Sequence, residues 1–109
     1  MESLTKKRCK PCEGGVAPYN EQQARAMLAQ LKGWALQDGK LAKVYPFANY
    51  HHTMAFVNAL AWISHREDHH PDLEVGYNKC RVSYWTHAVG GLSENDFICA
   101  AKCDALFEL

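Results

Sequence analysis

Apolar side chains at Ala24, Met27, Leu28 and Leu31 recur at three- and four-residue steps. This predicts a first helix, with Asn20 as its N-cap and Gly33 ending the run. Trp34 and Leu36, then Leu41, Val44, Tyr45 and Phe47, stand on either side of Asp38-Gly39, a dipeptide that favours a tight hairpin turn. Strands over about 34–37 and 40–47 follow. Asn49 can cap a second helix that runs to about Asp68, its buried stripe drawn from Phe56, Val57, Leu60, Ala61 and Ile63. Beyond Pro71, Leu73, Val75 and Tyr77 alternate with polar positions, and Cys80, Val82, Tyr84 and Thr86 then alternate with Arg81, Ser83, Trp85 and His87. Period two on both runs predicts two strands joined near Asn78-Lys79. Gly90-Gly91 breaks the last strand, and Ser93 caps a final helix with Asp96 at the N3 position. Hairpin-linked strand pairs and three striped helices predict an α+β two-layer sandwich: a four-stranded antiparallel sheet with three helices on one face, in the order α-β-β-α-β-β-α.

Residues 1–18 break from this patterning. They hold Lys6-Lys7-Arg8, Gly14-Gly15 and two prolines with few large apolar side chains, which predicts an extended or disordered arm ahead of one domain over residues 19–109. Twelve Lys plus Arg balance twelve Asp plus Glu, so the net charge of zero supplies no field for a phosphate backbone or an acidic membrane surface. No apolar run approaches the roughly 20 residues of a membrane span, and the N-terminal stretch has no apolar core of the secretory type. A cytoplasmic protein with no direct nucleic-acid or membrane partner is expected. Five cysteines, an odd number, fit reduced thiols there. Cys9 and Cys12 form a C-x-x-C that half a zinc site or a redox pair would use, but the second cysteine pair, Cys99 and Cys103, stands at helical i, i+4 spacing far downstream. Cys80 and Cys99 read as small core residues.

Candidate chemistry is concentrated in His65-Arg66-Glu67-Asp68-His69-His70-Pro71-Asp72, which carries three of the six histidines. Pro71 removes a backbone donor and drives His70 toward extended geometry, so the His69-His70 pair falls where a helix ends. Imidazoles exchange protons near neutral pH, and carboxylates beside them tune that exchange. His65 and His69 also have the i, i+4 spacing of two zinc ligands, but Arg66 stands where a hydrolytic zinc helix carries its Glu; an organic acid/base site is favoured over a metal. His51 and His52 fall in a polar first helical turn and read as surface. Trp85 and His87 would share one face of the last strand, an arrangement that suits a flat heterocycle stacking on the one and exchanging a proton with the other. A Trp in a subunit contact beside an exposed His fits the same parity.

His65, then His69-His70-Pro71, Tyr77, His87 and Asp96, in this spacing, resemble the motif of the pterin-4a-carbinolamine dehydratase family, also described as dimerisation cofactors of a homeodomain transcription factor. The resemblance covers residues from about 20 to the C-terminus, and His65 departs from it where many members have Glu. It implies that water is removed from a 4a-hydroxy-tetrahydropterin to give a quinonoid dihydropterin, in recycling a cofactor of aromatic amino acid hydroxylases. His69, His70 and His87 become the catalytic candidates, with His69 and His87 transferring protons in an order the sequence leaves open and His70 holding the ring. Asp68 and Asp96 would orient the imidazoles, and the Trp85-Thr86-His87-Ala88 stretch would bind the pterin. The resemblance further implies no metal or organic cofactor and a homodimer or homotetramer. The alternative within the family is a non-catalytic binding or transcriptional cofactor.

Overall fold

The computed structural model describes residues 3–11 and 17–109. Helix α1 (Glu21–Leu28) opens on a reciprocal cap: the Asn20 side chain accepts from the Gln23 N–H at 2.8 Å and Gln23 Oε1 accepts from the Asn20 N–H at 2.9 Å. It ends five residues before Gly33, so the stretch expected to continue the helix is a set of turns that close on Gly33 at φ +79°. Strands β1 (Ala35–Gln37) and β2 (Lys40–Pro46) are joined at Asp38-Gly39, whose φ values of +52° and +76° give the turn its hairpin twist. Asn49 caps α2 (Tyr50–Glu67) by accepting the His52 N–H at 3.0 Å. Strands β3 (Asp72–Val75) and β4 (Lys79–Tyr84) follow, then α3 (Glu94–Phe107).

The sheet is antiparallel throughout, in the order β1-β2-β4-β3. Its register sets Leu41 opposite Tyr84, Lys43 opposite Val82 and Tyr45 opposite Cys80, so these side chains share the face turned to the helices. Leu41, Tyr45, Cys80, Val82 and Tyr84 are fully buried there, against Phe56 and Leu60 of α2, Phe97 and Ile98 of α3, and Ala24 of α1. Each such large apolar side chain contributes about 1.5–3 kcal/mol by leaving water. The opposite face is lined by small and polar side chains, and Val44 there is 53% exposed.

Two polar anchors hold the layers in place. Asp104 on α3 accepts from Trp34 Nε1 at 3.0 Å, Lys43 Nζ at 2.8 Å and the Tyr45 hydroxyl, tying the last helix to the sheet. The other anchor fixes residues 3–11. Leu4 is buried, Cys9 N–H donates to Glu67 Oε1 at 2.8 Å, and Lys10 exchanges both backbone groups with the Asn95 side chain, at 3.0 and 2.6 Å. This part of the expected arm is an extended strap with one 3-10 turn at Leu4–Lys6, bound across the ends of α2 and α3. Cys12, and with it the C-x-x-C reading, lies outside the described residues.

Candidate active site

Helix α2 stops at Asp68, which takes a left-handed conformation (φ +51°, ψ +41°) that an Asp tolerates better than most residues. The His69 N–H closes the turn on the Ser64 carbonyl at 3.2 Å, and Pro71 commits the chain to β3. His69 is thereby turned inward. Its ring stacks on Tyr84 with centroids 6.0 Å apart and planes 10° from parallel.

Asp96 meets it from the first turn of α3. A carboxylate at N3 usually faces water, but this one is fully buried and every contact is used. Oδ1 accepts from His69 Nε2 at 2.6 Å; Oδ2 accepts from the Thr86 hydroxyl at 2.8 Å and from the Ser93 N–H at 3.0 Å. The Thr86 and Ser93 hydroxyls are themselves 2.8 Å apart. An ionised carboxylate only accepts, so Nε2 carries the His69 proton. The other ring nitrogen, Nδ1, has no hydrogen-bond partner among the described residues.

A cleft of about 460 Å³ opens over this pair, within the roughly 300–1,000 Å³ common for small-molecule sites. Asp68, His69, His70, Trp85, Thr86, His87 and Ala88 all line it, and Asp96 lies beneath, holding His69. Thus the bend at Pro71 and the segment after β4, far apart in sequence, face one space. The route to His87 differs from the expected one. β4 ends at Tyr84, Thr86 bridges only to Gly91, and His87 opens a 3-10 turn, His87–Val89. His87 is not on a strand, and no strand parity pairs it with Trp85; the turn does, with ring centroids 3.8 Å apart.

Asp68 sits at the rim of the cleft, and its carboxylate makes no hydrogen bond to an imidazole among the described residues; Asp96 alone holds His69. His65 is exposed, packs on Trp62 at 5.7 Å between ring centroids, and lines a second hollow that Asp68, His69 and His70 also border. His51 and His52 are exposed. Tyr77 follows β3, 67% exposed, and its carbonyl accepts from the Thr53 hydroxyl at 3.0 Å. No group of three or more His, Cys, Asp or Glu side chains among the described residues is placed to hold a metal ion.

The strap forms the remaining wall, through Cys9, Lys10 and Pro11. Its clamps, Glu67 and Asn95, stand one position before Asp68 and Asp96, yet the pattern of the sequence gives neither, because the strap groups they bind, the backbone of Cys9 and Lys10, lie 58 and 85 positions away. Burial drives the Glu67 carboxyl up. The Cys9 N–H, Lys102 and Arg8 together outweigh it and hold the pKa below the usual carboxylate range. Burial likewise pushes the Tyr84 phenol well above its ordinary range, so a neutral plate underlies His69.

Residues 17–106 match the family model described as pterin 4 alpha carbinolamine dehydratase. A protein of Nitrosomonas europaea, provisionally named pterin-4-alpha-carbinolamine dehydratase, is 63% identical over 106 residues, 96% of this chain and 94% of its own. One of Nitrosospira multiformis with the same provisional name is 58% identical over all of this chain and 96% of its own. Among solved structures, a transcriptional coactivator/pterin dehydratase from Brucella melitensis superposes with a TM-score of 0.78 at 26% identity, over 82% of this chain and 97% of that one. A pterin dehydratase-like protein identified as a RuBisCO assembly factor in the alpha-carboxysome gives 0.60 at 29% identity, over 69% and 89%. With the family model spanning most of its length and relatives matched over nearly all of both chains, the chain belongs to the pterin 4 alpha carbinolamine dehydratase family.

Proposed function

We propose that the protein removes water from a 4a-hydroxy-tetrahydropterin to give the quinonoid dihydropterin, by histidine acid/base catalysis. The observation that carries this reading is the contact between fully buried Asp96 and half-buried His69, 2.6 Å across, at a cleft that also holds His70 and His87. Dehydration of a carbinolamine needs a proton removed from the ring nitrogen beside the carbinol carbon and another delivered to the departing hydroxyl. His69 Nδ1, a lone pair held in place through Nε2, takes the first. His87, exposed to solvent, gives the second, so the C–O bond breaks as the C=N bond forms and the hydroxyl leaves as water. His70 holds the ring, and Trp85 with the Thr86–Ala88 backbone lines its seat. Each positioned imidazole accounts for roughly 100- to 10,000-fold. No step calls for a metal or organic cofactor.

The protein would act in the cytoplasm, recycling the pterin of an aromatic amino acid hydroxylase. We place it in a homodimer or homotetramer; β1 and β3 are sheet edges, and Trp62 on α2 is 62% exposed, surfaces a second copy can cover.

The coactivator and assembly-factor descriptions of the two solved relatives favour a second reading, binding without catalysis. An ultraviolet assay separates the two. Enzymatically generated 4a-hydroxy-tetrahydropterin should lose its hydroxyl faster with the purified protein than without it, and equal rates would leave only the binding role.

A further inference from the structure

Cys9 of the strap and Cys99 of α3 face each other with sulfurs 3.4 Å apart, although 90 positions separate them in sequence. We infer that this thiol pair is an oxidisable site that a hydroperoxide converts to a Cys9–Cys99 disulfide. The inference does not depend on the dehydratase reading.

The seat is built rather than incidental. The Cys9 N–H is held by buried Glu67, its thiol points at the Asn95 carbonyl at 3.7 Å, and Lys10 is locked on both backbone groups by the Asn95 side chain. These contacts hold the two sulfurs in register from opposite sides of a seam. A disulfide needs about 2.05 Å between sulfurs, a short approach from van der Waals contact.

Access assigns the roles. Cys9 is half-buried and lines the cleft, whereas Cys99 is fully buried, so an oxidant reaches Cys9 first. The Cys9 sulfur attacks one oxygen of hydrogen peroxide, the O–O bond breaks, and the departing hydroxyl takes the Cys9 thiol proton and leaves as water, with Cys9 oxidised to a sulfenic acid. The Cys99 sulfur then attacks the Cys9 sulfur. The S–S bond forms, the S–O bond breaks, and the hydroxyl takes the Cys99 proton and leaves as a second water. The hydrogen bond to Cys9, with burial next, pushes the Cys99 thiol far above its ordinary range, so it carries that proton until it reacts. Cys80 and Cys103 are also fully buried and are not presented to the cleft. The product ties the cleft wall of Cys9–Pro11 to the helix that carries Asp96, three positions before Cys99.

Fully reduced protein, freed of reductant and exposed to stoichiometric hydrogen peroxide, should lose the mass of two hydrogens. Non-reducing peptide mapping should join the Cys9 peptide to the Cys99 peptide. Cys12→Ser should behave like wild type and Cys9→Ser should form no such cross-link. Dithiothreitol should reverse the change. Because the bridge closes a long loop, the oxidised protein should melt higher by more than about 5 °C, in wild type and Cys12→Ser alone. Oxidation that ends at a Cys9 sulfinic acid, or a Cys9–Cys12 bridge that leaves the Cys99 thiol intact, would overturn the inference.

Discussion

Replacing Asp96 with Asn separates the carboxylate's chemistry from its packing. The amide has nearly the same shape, and its oxygen can still accept from the Ser93 N–H and Thr86 hydroxyl where Oδ2 now does, at 3.0 and 2.8 Å. Its NH2 group then points at His69 Nε2, 2.6 Å from the present Oδ1. A donor there can meet only an acceptor, so the imidazole proton moves to Nδ1 and the lone pair proposed to act as base disappears. Folding loses the charge assistance of these bonds, on the order of 1–2 kcal/mol, a fraction of the roughly 5–15 kcal/mol that holds a domain together. Catalysis loses a positioned base, roughly 100- to 10,000-fold or about 3–5 kcal/mol on the barrier. An Asp-to-Asn change behind a catalytic histidine costs about 10,000-fold in the serine-protease triad for the same tautomeric reason. The assay is the dehydration rate at saturating substrate, paired with a urea melt and nitrogen-15 shifts of the His69 ring. A folded Asp96→Asn variant within about threefold of the wild-type kcat would refute the reasoning, since less than 1 kcal/mol of barrier would then depend on the tautomer.

Three further outcomes are expected. His87→Ala should lower kcat by at least about 100-fold while moving Tm by no more than about 2 °C, because the ring is exposed; scanning calorimetry beside the assay checks this. Glu67→Gln should lower stability at neutral pH by about 1–3 kcal/mol, as the strap loses charge-assisted bonds. The folded pKa of Glu67 lies below its ordinary 4.5, so its contribution is complete above that value and fades as pH falls through the folded pKa; melts of the two proteins should converge in acid. Asp104→Ala strands the Trp34 N–H and the Tyr45 hydroxyl and should cost about 2–4 kcal/mol in urea titrations, with the turnover of the folded fraction unchanged.

Local chemistry made much of this fold legible. Asn20, Asn49 and Ser93 start their helices where their side chains or their N3 partners can satisfy free backbone donors, and Asp38-Gly39 turns because both residues accept positive φ. The end of β4 was hidden for a physical reason. Alternating burial continues through Thr86, which is 4% exposed, but the ladder does not. Leu41 pairs with Tyr84, and two residues beyond Leu41 the partner strand has reached its hairpin turn at Asp38-Gly39, so nothing is left for His87 to pair with. The first helix ends early for a similar reason, since apolar spacing persists to Leu31 after the backbone has left the helix at Leu28. In the site, the histidine bend and Asp96 were legible through motif spacing, whereas the wall built by the strap was not. Its anchors join Cys9 to Glu67 and Lys10 to Asn95 across 58 and 85 positions, through backbone atoms that every residue shares.

In the proposed mechanism the imidazole of His69, held by Asp96, drives loss of water from the bound ring. Dehydration rates for wild type and His69→Ala, followed in the ultraviolet on the same batch of substrate, test it most directly. The wild-type rate should stand well above the uncatalysed one, and the folded variant should be slowed by roughly 100- to 10,000-fold. A folded variant as fast as wild type would contradict it.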